Sequence, residues 1–162
     1  MHKIILSTLV AVFAVISLAF AQEQPEQQFD DLPTLQKKAQ QGDPAAYYNL
    51  GVVYDEGILV QKNVREAFLF YLKSAELGHP QGQHNTAVCY DQGEGVERDP
   101  KKAVEWYQKA AAQNLPNSQY NLAVKYYTGD GVETDLVKSK YWMEKAAANG
   151  FQEAISALKE FY

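Results

Sequence analysis

The stretch Asn85-Thr86-Ala87-Val88-Cys89-Tyr90-Asp91-Gln92-Gly93-Glu94-Gly95 decides the fold, because its framework recurs 36 residues upstream and again 36 downstream. Asn49, Asn85 and Asn121 fall into register without a gap, as do Tyr54, Tyr90 and Tyr126, with Tyr162 next in line. So do Gly57, Gly93 and Gly129; Val60, Val96 and Val132; Lys73, Lys109 and Lys145; and Ala75, Ala111 and Ala147. A fixed period of this size marks a solenoid, in which each unit buries its neighbour's face rather than its own.

Working outward, each unit reads as two helices with punctuation at matching places. Pro44, Pro80 and Pro116 stand where a first turn begins, since the amide that proline lacks would be unpaired there anyway. The first helix (A) runs to Glu56, Gln92 and Thr128, where Gly57, Gly93 and Gly129 stop it in a left-handed conformation. Asn63, Asp99 and Asp135 are placed to cap the second helix (B), which ends at Gly78, Asn114 and Gly150. Apolar positions keep helical spacing, with Ala46, Leu50, Val53 and Tyr54 in one helix and Ala67, Phe70 and Tyr71 in the next. The units span 43–78, 79–114 and 115–150, with half-units at 34–42 and 151–162 that cap the open ends. Together they form one domain over 34–162.

Ahead of the array, Met1-His2-Lys3 precedes an apolar run over 4–20, and Ala19-Phe20-Ala21 is a small-x-small cleavage signal. Residues 1–21 therefore read as a secretory signal peptide with cleavage after Ala21; the alternative is an uncleaved anchor. No Cys lies near the site, which excludes a lipid-modified N-terminal Cys. Residues 22–33, rich in Gln, Glu and Pro, read as a flexible polar linker. With Lys3 removed, 14 basic residues face 20 acidic ones, a net charge of −6. That balance argues against a nucleic-acid partner, which calls for a basic footprint. Cys89 stands alone, so packing rather than disulfides must hold the fold.

Gly93-Glu94-Gly95-Val96, Asp99, Lys102-Ala103, Trp106-Tyr107 and Lys109-Ala110-Ala111, set in a three-fold 36-residue period, resemble the Sel1-like repeat family, relatives of the tetratricopeptide repeats. The resemblance covers the chain from Leu35 to Tyr162 and implies an all-α, right-handed α-solenoid of antiparallel helix pairs. It also implies a protein-binding adaptor, associated with the cell envelope in exported members. Departures are local: Leu59 replaces the second Gly of the first unit and Phe70 its Trp, while Met143 and Ser139 replace Tyr and Ala in the third. A Cys-rich branch linked to penicillin-like rings carries paired Cys in each repeat, and this chain does not.

Catalytic patterns are sparse. Ser156-Ala157-Leu158-Lys159 fits the Ser-x-x-Lys of penicillin-recognising nucleophiles, but neither partner motif of that class is present. His79 and His84 would lie about 140 degrees apart on a helix, with no third ligand in the pattern. No cofactor, metal or catalytic residue is expected, and Cys89 reads as a small buried filler.

Arrays of this type present a concave groove lined by the A helices. Its candidate partner-binding residues are Tyr48, Val52 and Asp55; His84, Val88 and Asp91; and Tyr120, Val124 and Tyr127. Tyr48, His84 and Tyr120 read as ring anchors, and the aspartates favour a basic or backbone-rich ligand. The alternative for these rings is packing between repeats. Asn49, Asn85 and Asn121 read as structural, closing contacts within the fold. The expectation is an exported, monomeric scaffold in the periplasm or outside the cell, with no stable membrane insertion after cleavage, that binds a protein or peptide. Alternatives are an inhibitor or immunity protein of an envelope-acting enzyme or toxin, or an enzyme acting on β-lactams or peptidoglycan.

Overall fold

A computed structural model describes residues 30–161, and the segments read as signal peptide and most of the linker lie outside them. Eight helices follow in order: α1 (Leu32–Gln40), α2 (Pro44–Glu56), α3 (Val64–Glu76), α4 (Pro80–Gln92), α5 (Pro100–Ala112), α6 (Pro116–Thr128), α7 (Leu136–Ala148) and α8 (Gln152–Phe161). Helices α2, α4 and α6 are the A helices, and α3, α5 and α7 the B helices. Each packs on the helix before and after it, and α2 also meets α4. Antiparallel pairs thus stack in sequence order. Among the described residues no helix is long and apolar enough to cross a membrane.

The anticipated punctuation is present. Asn63 accepts from the Arg65 and Glu66 amides at 3.2 Å, Asp99 from Lys102 at 3.1 Å, and Asp135 from Lys138 at 2.9 Å. Such caps are each worth about 1 kcal/mol. Between A and B the chain is stapled by one repeated bond. Asn63 N–H donates to the Tyr54 carbonyl, Asp99 to Tyr90 and Asp135 to Tyr126, at 2.8, 2.8 and 2.9 Å. Asn114 adopts φ 63°, filling the left-handed place that Gly78 and Gly150 take in the flanking units.

The order begins earlier than composition suggests. Asp31, inside the stretch read as linker, accepts from the Thr34 amide at 2.8 Å and caps α1, with Pro33 in its first turn. Leu35 and Ala39 of α1 are buried against Ala46, Leu50 and Val53 of α2, so the half-unit covers the first A helix. At the other end Ala154 of α8 is buried with Ala123, Met143 and Ala146.

Leu59 shows why one departure from the repeat pattern is tolerated. At Gly95 (φ 72°) and Gly131 (φ 81°) the A–B loop lies on the first turn of the preceding B helix, where a Cβ would strike the Val64 or Pro100 carbonyl oxygen. Leu59 has the same left-handed backbone, φ 65°, but is 73% exposed. The residue one period before Val64 is Gln28, outside the described residues.

Candidate binding groove

The A helices carry all nine predicted site residues at equivalent positions, and packing divides them into three rows with different roles. The ring row stitches repeats together. Tyr48 lies 5.3 Å from the His79 ring and 6.0 Å from Tyr71, and Tyr120 lies 5.1 Å from Phe151. His79 and Phe151 occupy the same place two periods apart, with Leu115 between, and each opens the unit that follows its tyrosine's, so both tyrosines reach across to the next repeat. His84 does so by another route. Its Nδ1 pairs with the Ser118 Oγ at 2.8 Å, and its ring lies 5.8 Å from Tyr107. Burial pushes its pKa down to about 4, so the imidazole is neutral near pH 7.

The valine row differs. Val52, Val88 and Val124 are each partly open, although the residues on either side of each one are buried. Tyr127 is 49% exposed.

The acidic row is engaged. Asp55 accepts from the Tyr71 hydroxyl at 3.3 Å and lies 3.8 Å from Lys62. Asp91 pairs with Lys125 and lies 3.9 Å from Arg98, while Lys125 and Arg98 each reach Asp130 at 2.7 Å. The Lys125 side chain is only 9% exposed, and its hydrogen bond with Arg98's beside it holds the Asp130 carboxyl below its usual range. Two cations and two anions therefore neutralise one another where the second and third repeats meet. Sequence reasoning missed this network because Lys125 occupies a place that is apolar in the other units, Val53 and Cys89.

The equivalent place between the first and second repeats is a cleft of about 100 Å³. Its lining includes Asp55, Tyr71, Asn85, Val88, Cys89 and Glu94. The Asn85 side chain acts on the Tyr71 hydroxyl and that of Asn121 on the Tyr107 hydroxyl, each opposing the upward push that burial gives the phenol. Where the third unit has Met143 instead of tyrosine, the matching asparagine place holds Ala157, so the polar pair is replaced as a pair. Burial, then the charges of Asp55 and Glu94, push the Cys89 thiol up to about 12. It stays protonated and unreactive near neutral pH.

The remaining chemical patterns do not assemble. Ser156 and Lys159 are both solvent-exposed on α8. His79 accepts from the Gly82 amide at the start of α4, apart from the His84 contact, and no group of three potential metal ligands occurs among the described residues.

No curated protein matches the chain. Solved structures do. A Sel1 repeat protein from Oxalobacter formigenes is 35% identical with a TM-score of 0.76, covering 82% of this chain and 100% of that one. A protective antigen present in uropathogenic Escherichia coli strains, displaying an SLR fold, is 36% identical with a TM-score of 0.72; the match covers 75% of this chain but 26% of that one. Helicobacter pylori cysteine rich protein B is 27% identical with a TM-score of 0.59, over 76% of this chain and 93% of that one. The Sel1 repeat model matches residues 44–79, 80–115 and 116–151, and with the period, the paired helices and these likenesses the chain belongs to the Sel1 repeat family.

Proposed function

We propose that the protein is an exported, non-catalytic scaffold that holds a protein or peptide partner along its A helices, in the periplasm or outside the cell. The observation that carries this reading is the valine row. Val52, Val88 and Val124 place one partly open apolar side chain per repeat between buried neighbours, at a spacing set by the stack. A regularly spaced apolar floor suits an extended chain, whose side chains can fall into successive sites. Tyr127 adds an exposed ring, while Tyr48, His84 and Tyr120 hold the floor in place by bridging repeats. Similarity to a protective antigen of uropathogenic strains supports an exported location.

The test is capture from an envelope extract on immobilised protein, beside a variant carrying Val52→Ser, Val88→Ser, Val124→Ser and Tyr127→Ala. A protein held by the parent and lost by a variant of unchanged circular dichroism supports the groove. Retention by both places binding elsewhere, and retention by neither refutes the scaffold reading. Covalent labelling by a penicillin probe, abolished by Ser156→Ala, would replace it with the enzyme reading.

A further inference from the structure

The two junctions between repeats differ by one charge. At the second, the Lys125 ammonium lies between Asp91 and Asp130, and Arg98 completes the group. One period earlier the same four places hold Cys89, Asp55, Glu94 and Lys62. Lys62 approaches Asp55 at 3.8 Å, much as Arg98 approaches Asp91 at 3.9 Å. The central cation alone has no counterpart. In its place Cys89 ends short, 8% exposed, and the cleft of about 100 Å³ remains beside it.

From this we propose that the cleft between the first and second repeats receives a lysine side chain of the protein partner, its ammonium placed between Asp55 and Glu94. The second junction is the chain's own example of such an occupant. It shows that the backbone spacing between repeats accommodates an ammonium between these two positions when a lysine reaches in. The cleft is suited to the rest of the side chain as well. Val64, Ala67 and Val88 line it and can cover a methylene stem, as apolar surface does for buried lysine stems. Both carboxylates already act on this space, since both raise the Cys89 thiol. An arriving ammonium would complete the same balance of two cations and two anions found at the other junction, partly out of water, where such pairing is stronger than at an open surface. The proposal rests on the scaffold reading and specifies one anchor of its ligand.

The test is a nuclear magnetic resonance titration of the purified protein with the end-blocked peptide Ala-Ala-Lys-Ala-Ala and its norleucine counterpart. Saturable shifts at the amides of Asp55, Asn85, Cys89 and Glu94 are expected with the lysine peptide, and binding at least tenfold weaker with norleucine. Cys89→Lys supplies the missing ammonium from within and should weaken the lysine peptide at least tenfold. Glu94→Gln, at an exposed position, should weaken it in the same sense without burdening the core. Equal binding of both peptides, or binding insensitive to both Cys89→Lys and Glu94→Gln, overturns the proposal. Cadaverine binding as tightly as the lysine peptide would assign the cleft to a free diamine and overturn it too. A captured partner lost by the valine-row variant but indifferent to Cys89→Lys would sink the lysine anchor and leave the scaffold standing.

Discussion

Replacing Lys125 by methionine isolates the energetics of the charged junction. Methionine keeps the length of the side chain but removes its charge, leaving Asp91 and Asp130 to share Arg98. Unit charges about 4 Å apart at an effective dielectric near 20 attract by roughly 4 kcal/mol, and both Lys125–carboxylate pairs are closer than that. Most of that offsets the cost of desolvating a lysine that is 9% exposed, and the partly open carboxylates screen the remainder. Breaking the group without compensation should therefore cost about 2–3 kcal/mol. Lys125→Met with Asp91→Asn should recover about 2 kcal/mol of this, because Asp130 keeps its 2.7 Å pair with Arg98. The assay is urea unfolding followed by circular dichroism and by the fluorescence of Trp106 and Trp142, with coincident transitions required before a free energy is assigned. In the single variant the Asp130 carboxyl should also titrate higher than in the parent. A cost below about 0.5 kcal/mol, or no recovery in the double variant, would refute the view that Lys125 balances the two carboxylates.

Two further outcomes test the packing. His84 has its pKa lowered from 6.5 to about 4, so the unfolded chain takes up the proton first as pH falls. Stability should be level above about pH 7 and decline between about pH 6.5 and 4 by up to about 3 kcal/mol, with His79 adding in the same direction. His84→Asn should flatten that slope in urea melts taken across the window; an unchanged slope would refute the assignment. Gly95→Ala should cost about 2 kcal/mol or more, since it combines left-handed strain with a clash against the Val64 carbonyl, whereas Leu59→Gly should be neutral or stabilise by up to about 1 kcal/mol. Equal melting-temperature losses for the two would show that the loops do not differ in this way.

The periodic part of the fold was legible because it depends on local chemistry repeated three times. Prolines, left-handed glycines and capping side chains act within a turn or two, and their recurrence at 36 residues removes the ambiguity that each has alone. Leu32 and Pro33 were read as linker because two apolar residues in a Gln-rich stretch carry little signal, although Asp31 before them was a usable cap. The groove was less legible. Whether Tyr48 faces a ligand or His79 depends on how one unit sits on the next, and a residue's place within its own helix does not specify that. Lys125 was visible in the alignment as the polar member of an apolar column, but its meaning required Asp91 and Asp130, which lie on opposite sides of a repeat boundary.

That division of the junction between two units has a consequence for how such a chain can change its length. The earlier unit donates one carboxylate and its neighbouring cation, Asp55 with Lys62 or Asp91 with Arg98, and the later unit donates the other pair, Cys89 with Glu94 or Lys125 with Asp130. Loss of residues 79–114 would set Asp55 beside Lys125 and Asp130 and make a closed junction; duplication of the same segment would follow Asp91 with Cys89 and Glu94 and make a second open one. Gene-level shuffling of whole repeats therefore reassorts filled and empty clefts without designing any of them afresh, and the order of units along the array becomes the order in which filled and empty clefts follow one another.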